Sequence, residues 1–334
     1  MKVCIVGAGA IGGLIGARLA AAGRAEVCAL ARGATLRALQ EHGWRLQTAQ
    51  ALVQAPAARA AASAAELGGQ DLVVVAVKGP ALTQVAPSLA PLLGPATVVL
   101  PAMNGVPWWF CQGVRDFPGG GALQSVDPGG VIAAAIPLPQ VLGCVVHASA
   151  STPEPGLVQH RVGQGLIVGE PLAGAGRDTA PTARAQAVVE LLAHAGFDAT
   201  LSADVRYDIW YKLWGNMTMN PVSAITGATI DRVLADPLVR AFCSAAMTEA
   251  AAIGERIGCP IPQTAEDRHA ITARLGAFKT SMLQDVEAGR PLELDAIVTA
   301  VHEIGQRLGI ATPNISALLG LTRLFGRVRG LYPA

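Results

Sequence analysis

The sequence predicts an α/β chain, with a parallel-sheet nucleotide-binding domain in its N-terminal half and an all-helical domain in its C-terminal half. Three observations support this. A short uncharged β-branched run at residues 3–6 leads directly into glycines at 7, 9 and 12 and then into an Ala/Leu-rich helical stretch. Further apolar strand runs appear at 25–31, 71–77 and 97–100, separated by turn and helical segments. From about residue 204 the strand-like runs stop, and helical periodicity continues to Tyr332. The expected domains are therefore 1–202 and 203–334, with the boundary near residues 202–204.

Each element follows from its residues. Gly7, Gly9 and Gly12 fall on the G-x-G-x-x-G spacing. The first glycine permits the turn out of the strand, the second lets backbone approach a pyrophosphate, and the third lets the helix pack closely on the sheet. The helix over 11–22 would then aim its free N–H groups and positive dipole end at the phosphates. Together these make the first domain Rossmann-type. Residues 25–31 complete a βαβ unit, and Ala31-Arg32-Gly33 stand where an NAD site carries an acidic residue; Glu26 lies at the opposite end of the strand. A guanidinium can pair with a 2′-phosphate that a carboxylate would repel, so Arg32 favours NADP, a solvated loop arginine being the alternative.

Residues 46–53 alternate as a small hairpin. Lys78 and Asn104 each end a predicted parallel strand, at the sheet edge where ligands bind; a strand-capping lysine and an Asn-Gly turn are the structural alternatives. Trp108 and Trp109 supply either an aromatic wall beside the cleft or core packing. Turn clusters follow at 119–121 and 127–130, then short strands at 141–149, 156–161 and 165–169, and a helix over 181–195 opening on Pro181. Residues 197–201 are expected to complete the sheet.

Composition narrows the function. A length of 334 residues accommodates two cores. With 25 basic and 24 acidic side chains and a net charge of +1, the chain gives no reason to expect nucleic acid or an anionic membrane as partner, so a small-molecule substrate is expected. The six cysteines are scattered without a C-x-x-C pair, which suits buried free thiols in a reducing cytoplasm and offers no metal site. The apolar N-terminus lacks a signal-peptide cleavage site before Arg18, and the uncharged region 128–153 is broken by prolines and glycines, so neither is a membrane segment. The apolar stretches 238–257 and 315–325 are candidates for a homodimer surface, or equally for core.

In the second domain, Lys212, Asn216 and Asn220 recur at i, i+4 and i+8 within 208–227. Successive steps of four rotate only about 40° round the axis, so the three share one helical face. Such a stripe lines either a polar cavity or solvent. Ser281 and Asp285 share a second helical face, and Pro291 is expected to start a helix with Glu293 and Asp295 in its first turn.

These residues carry a resemblance over nearly the whole chain. GAGAIGG at the start, Arg32, Val77-Lys78, Asn104-Gly105, Val126-Asp127-Pro128-Gly129, the W-x-K-L-x-x-N-x-x-x-N-P run from Trp210 to Pro221, and SMLQDVEAGRPLELDAI from Ser281 to Ile297 resemble the ketopantoate reductase family. That resemblance implies reduction of the ketone of 2-dehydropantoate to (R)-pantoate with NADPH, on the route to pantothenate and coenzyme A. It implies Lys212 as general acid, Glu293 holding the substrate hydroxyl or Lys212, Asn216 and Asn220 orienting substrate, Ser281 binding its carboxylate, and Asn104 bridging cofactor and substrate. Cofactor contacts are implied for Gly7, Gly9, Ala10, Ile11, Gly12, Arg32, Lys78 and Asn104. The chain departs from the family pattern at Met103, at Val106 to Trp109, at Tyr211 and Gly215, and at Val298-Thr299, which stand where Asn-Gly is usual. Trp108 and Val298 raise a second reading, a bulkier 2-oxo acid reduced by the same hydride-transfer site. A catalytically idle NADP-binding sensor would have no need of Lys212, Asn216, Asn220, Ser281 and Glu293 together.

Overall fold

A computed structural model describes residues 1–173 and 182–333. Its first sheet is wholly parallel. Strands β1 (Lys2–Val6), β2 (Glu26–Leu30), β5 (Arg59–Ala61), β6 (Gln70–Val75) and β7 (Leu93–Pro101) run in the order β5-β2-β1-β6-β7. The strand order reverses between β1 and β6, which is where an open α/β sheet leaves a crevice beyond its carboxyl ends. Helix α1 (Ala10–Ala22) links β1 to β2, α2 (Gly33–His42) follows β2, and α3 (Gly79–Val85) follows β6.

Residues 197–201 do not extend this sheet. They form β10 (Asp198–Leu201) in a second sheet of order β10-β9-β3-β4, built with β3 (Trp44–Gln47), β4 (Leu52–Ala55), β9 (Leu157–Gly169), and β8 (Gly143–Glu154) paired antiparallel to β9. The two short strands expected at 156–161 and 165–169 are one long strand, because Val162 to Gly165 keep pairing with β8 across bulges and Gly163 supplies the left-handed residue, φ +73°. The expected hairpin at 46–53 forms as β3–β4 with Leu46 opposite Val53.

Helix α1 lies between the two sheets, and its glycines make that possible. A β-carbon on Gly13 would stand 2.5 Å from Val158 Cγ2, and one on Gly16 would stand 2.5 Å from the Trp44 ring. Leu14, Ile15 and Leu19 of α1 join Val3, Ile5, Trp44, Leu46, Val146 and Leu166 in one core spanning both sheets. Helix α5 (Ala183–His194) is capped by the Thr182 hydroxyl, which accepts from the Ala185 amide; Pro181 lies outside the described residues. Between β7 and β8, the short helix α4 (Val131–Ala135) follows the Gly129-Gly130 turn.

The rest is helical: α6 (Val205–Thr226), α7 (Ile230–Ala235), α8 (Pro237–Arg256), α9 (Ala265–Ala273), α10 (Ser281–Glu287), a π-helical turn at Asp295–Thr299 running into α11 (Ala300–Arg307), and α12 (Pro313–Val328). The compact units do not follow one cut of the chain. The first contains Met1–Met103 and Gly129–Asp208, and the second contains Asn104–Pro128 and Ile209–Ala334. The segment 104–128 joins the helices for clear reasons. Phe110 stacks on Trp210 at 5.8 Å, and the Glu303 carboxylate of α11 accepts from the Gln124 and Ser125 amides at 2.9 and 2.8 Å. Glu249 of α8 likewise accepts from the Asn314 and Ile315 amides at the start of α12, at 2.9 Å each.

All six cysteines are free and buried. Cys4 and Cys28 sit side by side in register on β1 and β2, and burial, reinforced by Cys28, pushes the Cys4 thiol up to about 12, so it stays protonated and inert. No helix among the described residues is long and apolar enough to cross a membrane.

Candidate active site

In the first unit, the turn after β1 has a geometry that needs its glycines. Gly7 has φ +90°, and its amide donates to the Leu30 carbonyl at 3.1 Å; a β-carbon there would meet Val77 Cγ1 at 2.6 Å. A β-carbon at Gly12 would lie 2.1 Å from the Gly7 carbonyl oxygen and 2.9 Å from Ala76 Cβ, so α1 rests directly on the ends of β1 and β6. Gly9 is different: nothing lies within 4 Å of where its β-carbon would be. It is the N-cap of α1 with no side chain capping the helix, so no cap side chain takes up the first-turn amides, which include those of Ala10 and Ile11. This cradle fits a dinucleotide pyrophosphate.

Arg32 is the exposed N-cap residue of α2, directly after β2, and Glu26 is the first residue of that strand, at its far end. The position that would meet a ribose 2′-substituent thus carries a guanidinium and no carboxylate. Lys78 is the half-buried N-cap residue of α3, three residues beyond Val75 at the end of β6, on the sheet edge that carries Gly7.

In the second unit, Lys212, Asn216 and Asn220 project from one face of α6, which continues through Pro221 to Thr226. The other face is core: Trp210, Leu213, Trp214 and Met217 are buried, with the Trp214 indole donating to the Met247 carbonyl at 2.7 Å. The stripe is not a solvent face. Asn220 is only 5% exposed and Asn216 is half-buried, yet neither amide has a hydrogen-bond partner among the described residues. Amides on this face with no protein partner are available to pair with a polar ligand. Lys212 Nζ donates to Asn104 Oδ1 at 2.8 Å, joining two residues 108 apart in sequence.

Asn104 is fixed from behind. The Val106 amide donates to the Ala296 carbonyl at 2.8 Å, and Gly105, at φ +82°, passes so close that a β-carbon would stand 2.4 Å from the same oxygen. This ties the Asn104 segment to the π-helical turn that follows Glu293. Glu293 is not in a helical first turn as expected. It lies in non-helical backbone before a helix that begins at Leu294, and the Ala300 amide reaches back five residues to the Asp295 carbonyl. Ser281 is the exposed first residue of α10, whose cap is Thr280; Asp285 is buried on the same face and accepts from Arg290 Nε at 2.9 Å.

Trp108 and Trp109 are core residues, not a cleft wall, at 2% and 1% exposure, and Val298 is fully buried. The reading of a bulkier substrate loses the two residues that suggested it. Tyr211 and Gly215, the unusual residues of the lysine helix, have a joint role missed from sequence. Arg268 stacks on the Tyr211 ring at 4.7 Å, and a β-carbon on Gly215 would stand 2.8 Å from its Nε. Their spacing of four was the available signal. No cluster of His, Cys, Asp or Glu able to hold a metal ion occurs among the described residues.

Comparison with known proteins agrees along the chain. The family model for ketopantoate reductase PanE/ApbA matches residues 3–108, and that for its C-terminal part matches residues 204–325. A 2-dehydropantoate 2-reductase of Mesorhizobium japonicum is 44% identical over 332 residues, covering 99% of this chain and all of the relative. A crystal structure from Ralstonia solanacearum, described as a candidate ketopantoate reductase, superposes with a TM-score of 0.91 at 56% identity, covering 99% of each chain. A ternary structure of D-mandelate dehydrogenase with NADH and anilino(oxo)acetate shares the fold, with a TM-score of 0.81 at 22% identity over 99% of this chain and all of that one.

Proposed function

Because the chain belongs to the ketopantoate reductase family, we propose that it reduces 2-dehydropantoate to (R)-pantoate with NADPH, using Lys212 as general acid. The observation that carries this reading is the Lys212–Asn104 hydrogen bond beside two partnerless amides, Asn216 and Asn220. When bound, the dihydronicotinamide supplies hydride to the ketone carbon. Lys212 gives its proton to the carbonyl oxygen, and its charge stabilises the negative charge developing there. Asn104 holds Nζ in place, so the ammonium is aimed before the substrate arrives. Asn216 and Asn220 orient the substrate through hydrogen bonds they otherwise lack, Ser281 takes the carboxylate, and Glu293 holds the substrate hydroxyl or Lys212. The test is NADPH consumption on adding ketopantoate to the purified protein; turnover no faster than background would remove this substrate.

Arg32 is assigned to the 2′-phosphate of NADP, the glycine cradle to its pyrophosphate, and Lys78 to the cofactor at the same sheet edge. A charge-assisted pair of this kind contributes ~1.5–3 kcal/mol. Arg32→Ala should therefore weaken NADPH binding by roughly 10- to 100-fold and leave NADH binding nearly unchanged. Equal losses for both nucleotides, or wild-type preference for NADH, would reassign Arg32.

We also assign the exposed stripe Leu321, Leu324 and Val328 of α12 to a homodimer contact. Light scattering should give the mass of two chains for the wild type and one for Leu324→Glu; a wild-type monomer at micromolar concentration removes the assignment. The six buried free thiols suit a reducing cytoplasm, which cell fractionation would check.

A further inference from the structure

Glu293 sits in a stretch that neither helix nor strand holds, and the C-terminus brackets that stretch on both sides. Before it, the Leu292 amide donates to the Leu331 carbonyl at 2.9 Å. After it, the Tyr332 hydroxyl donates to Asp295 Oδ1, which also accepts the Thr299 hydroxyl at 3.3 Å. The tail that makes these contacts is itself fixed. Gly330 ends α12 at φ +67°, the Leu331 amide donates to the Gly326 carbonyl at 2.7 Å, and Arg327 Nε holds the Pro333 carbonyl at 3.0 Å. Gly326 leaves room for this return, since a β-carbon there would stand 2.8 Å from Tyr332 Cβ.

Asp295 opens the π-helical turn, and the next residue, Ala296, holds the Val106 amide and hence the backbone of Asn104. We propose that Leu331–Tyr332 is a strap that positions Glu293 and, through the π-helical turn, Asn104, which makes Tyr332 a positioning residue of the reductase site. The inference rests on the roles assigned above to Glu293 and Lys212. Thr299, one of the departures from the family pattern, joins the same contact, its hydroxyl donating to the Asp295 oxygen that accepts from Tyr332. Burial, and then the Asp295 carboxylate, push the Tyr332 hydroxyl up to about 12, so it remains a donor across the working pH range.

Tyr332→Phe removes the hydroxyl and keeps the ring. Hydrogen exchange should quicken by about 10-fold at the amides of 292–299 and at Val106, while α8 keeps its protection. With ketopantoate, kcat should fall by roughly 10-fold, with the KM for NADPH unchanged. In a Glu293→Gln background the same change should cost less than in the wild type, because only the route through Ala296, Val106 and Asn104 is left to lose. Unaltered exchange at 292–299 overturns the strap, and so do Tyr332→Phe losses of equal size in both backgrounds. A wild type that ignores ketopantoate would instead defeat the proposed substrate, and the exchange comparison would still judge the strap.

Discussion

Lys212→Ala should lower kcat for ketopantoate by roughly 10²- to 10⁴-fold, the range expected when a positioned proton donor is removed. Two losses combine. The carbonyl oxygen no longer receives a proton as hydride adds, and no positive charge faces the developing alkoxide. Asn104 cannot substitute, because its amide is a far weaker acid and its Oδ1, which now accepts from Nζ, is an acceptor only. Lys212→Arg should rescue little, since a guanidinium restores charge but is too weak an acid to release its proton. NADPH affinity, read by fluorescence titration, should change by less than about threefold, because the glycine turn and Arg32 belong to the other compact unit. A variant retaining more than a tenth of the wild-type rate would move the donor role elsewhere.

The second large effect is expected at the glycine turn. Gly12→Ala places a methyl group 2.1 Å from the Gly7 carbonyl oxygen, which is backbone and cannot rotate away. Helix α1 must shift, and its Gly13 and Gly16 contacts with the second sheet leave it nowhere to go. The cost is about 3 kcal/mol in stability, with NADPH binding reduced by at least ~10-fold as the pyrophosphate cradle opens. Gly9→Ala is the control. Its methyl meets no atom of another part of the chain within 4 Å, so the fold should keep its melting temperature while nucleotide affinity alone suffers. Equal melting temperatures for wild type and Gly12→Ala would contradict the packing argument.

The sequence was most readable where a function depends on local spacing. Glycines at 7, 9 and 12 encode their turn within six residues, and a polar residue every fourth position announces the face of α6. It was least readable where distant segments decide. Nothing around 197–201 says which sheet the strand joins, because that depends on β9, some thirty residues away, which itself reads as two strands until its pairing with β8 is known. Pro291 reads as a helix start, yet the helix waits until Leu294, since Leu292 spends its amide on Leu331 and the first regular turn is π-helical, a form with no residue signature. The tryptophan pair was ambiguous for another reason. Large aromatic side chains suit a cleft and a core equally, and only their near-zero exposure separates the two.

The interleaving of the two units has a consequence for biosynthesis. Trp108, Trp109 and Phe110 leave the ribosome about a hundred residues before Trp210, and the loop at 124–125 waits still longer for Glu303, 179 residues downstream of Gln124. Until those partners are translated, a strongly apolar segment hangs from a nascent first domain that can already collapse around β1 and β6. That interval is where a chaperone would be needed, and a chain truncated near residue 202 would keep this sticky segment permanently uncovered.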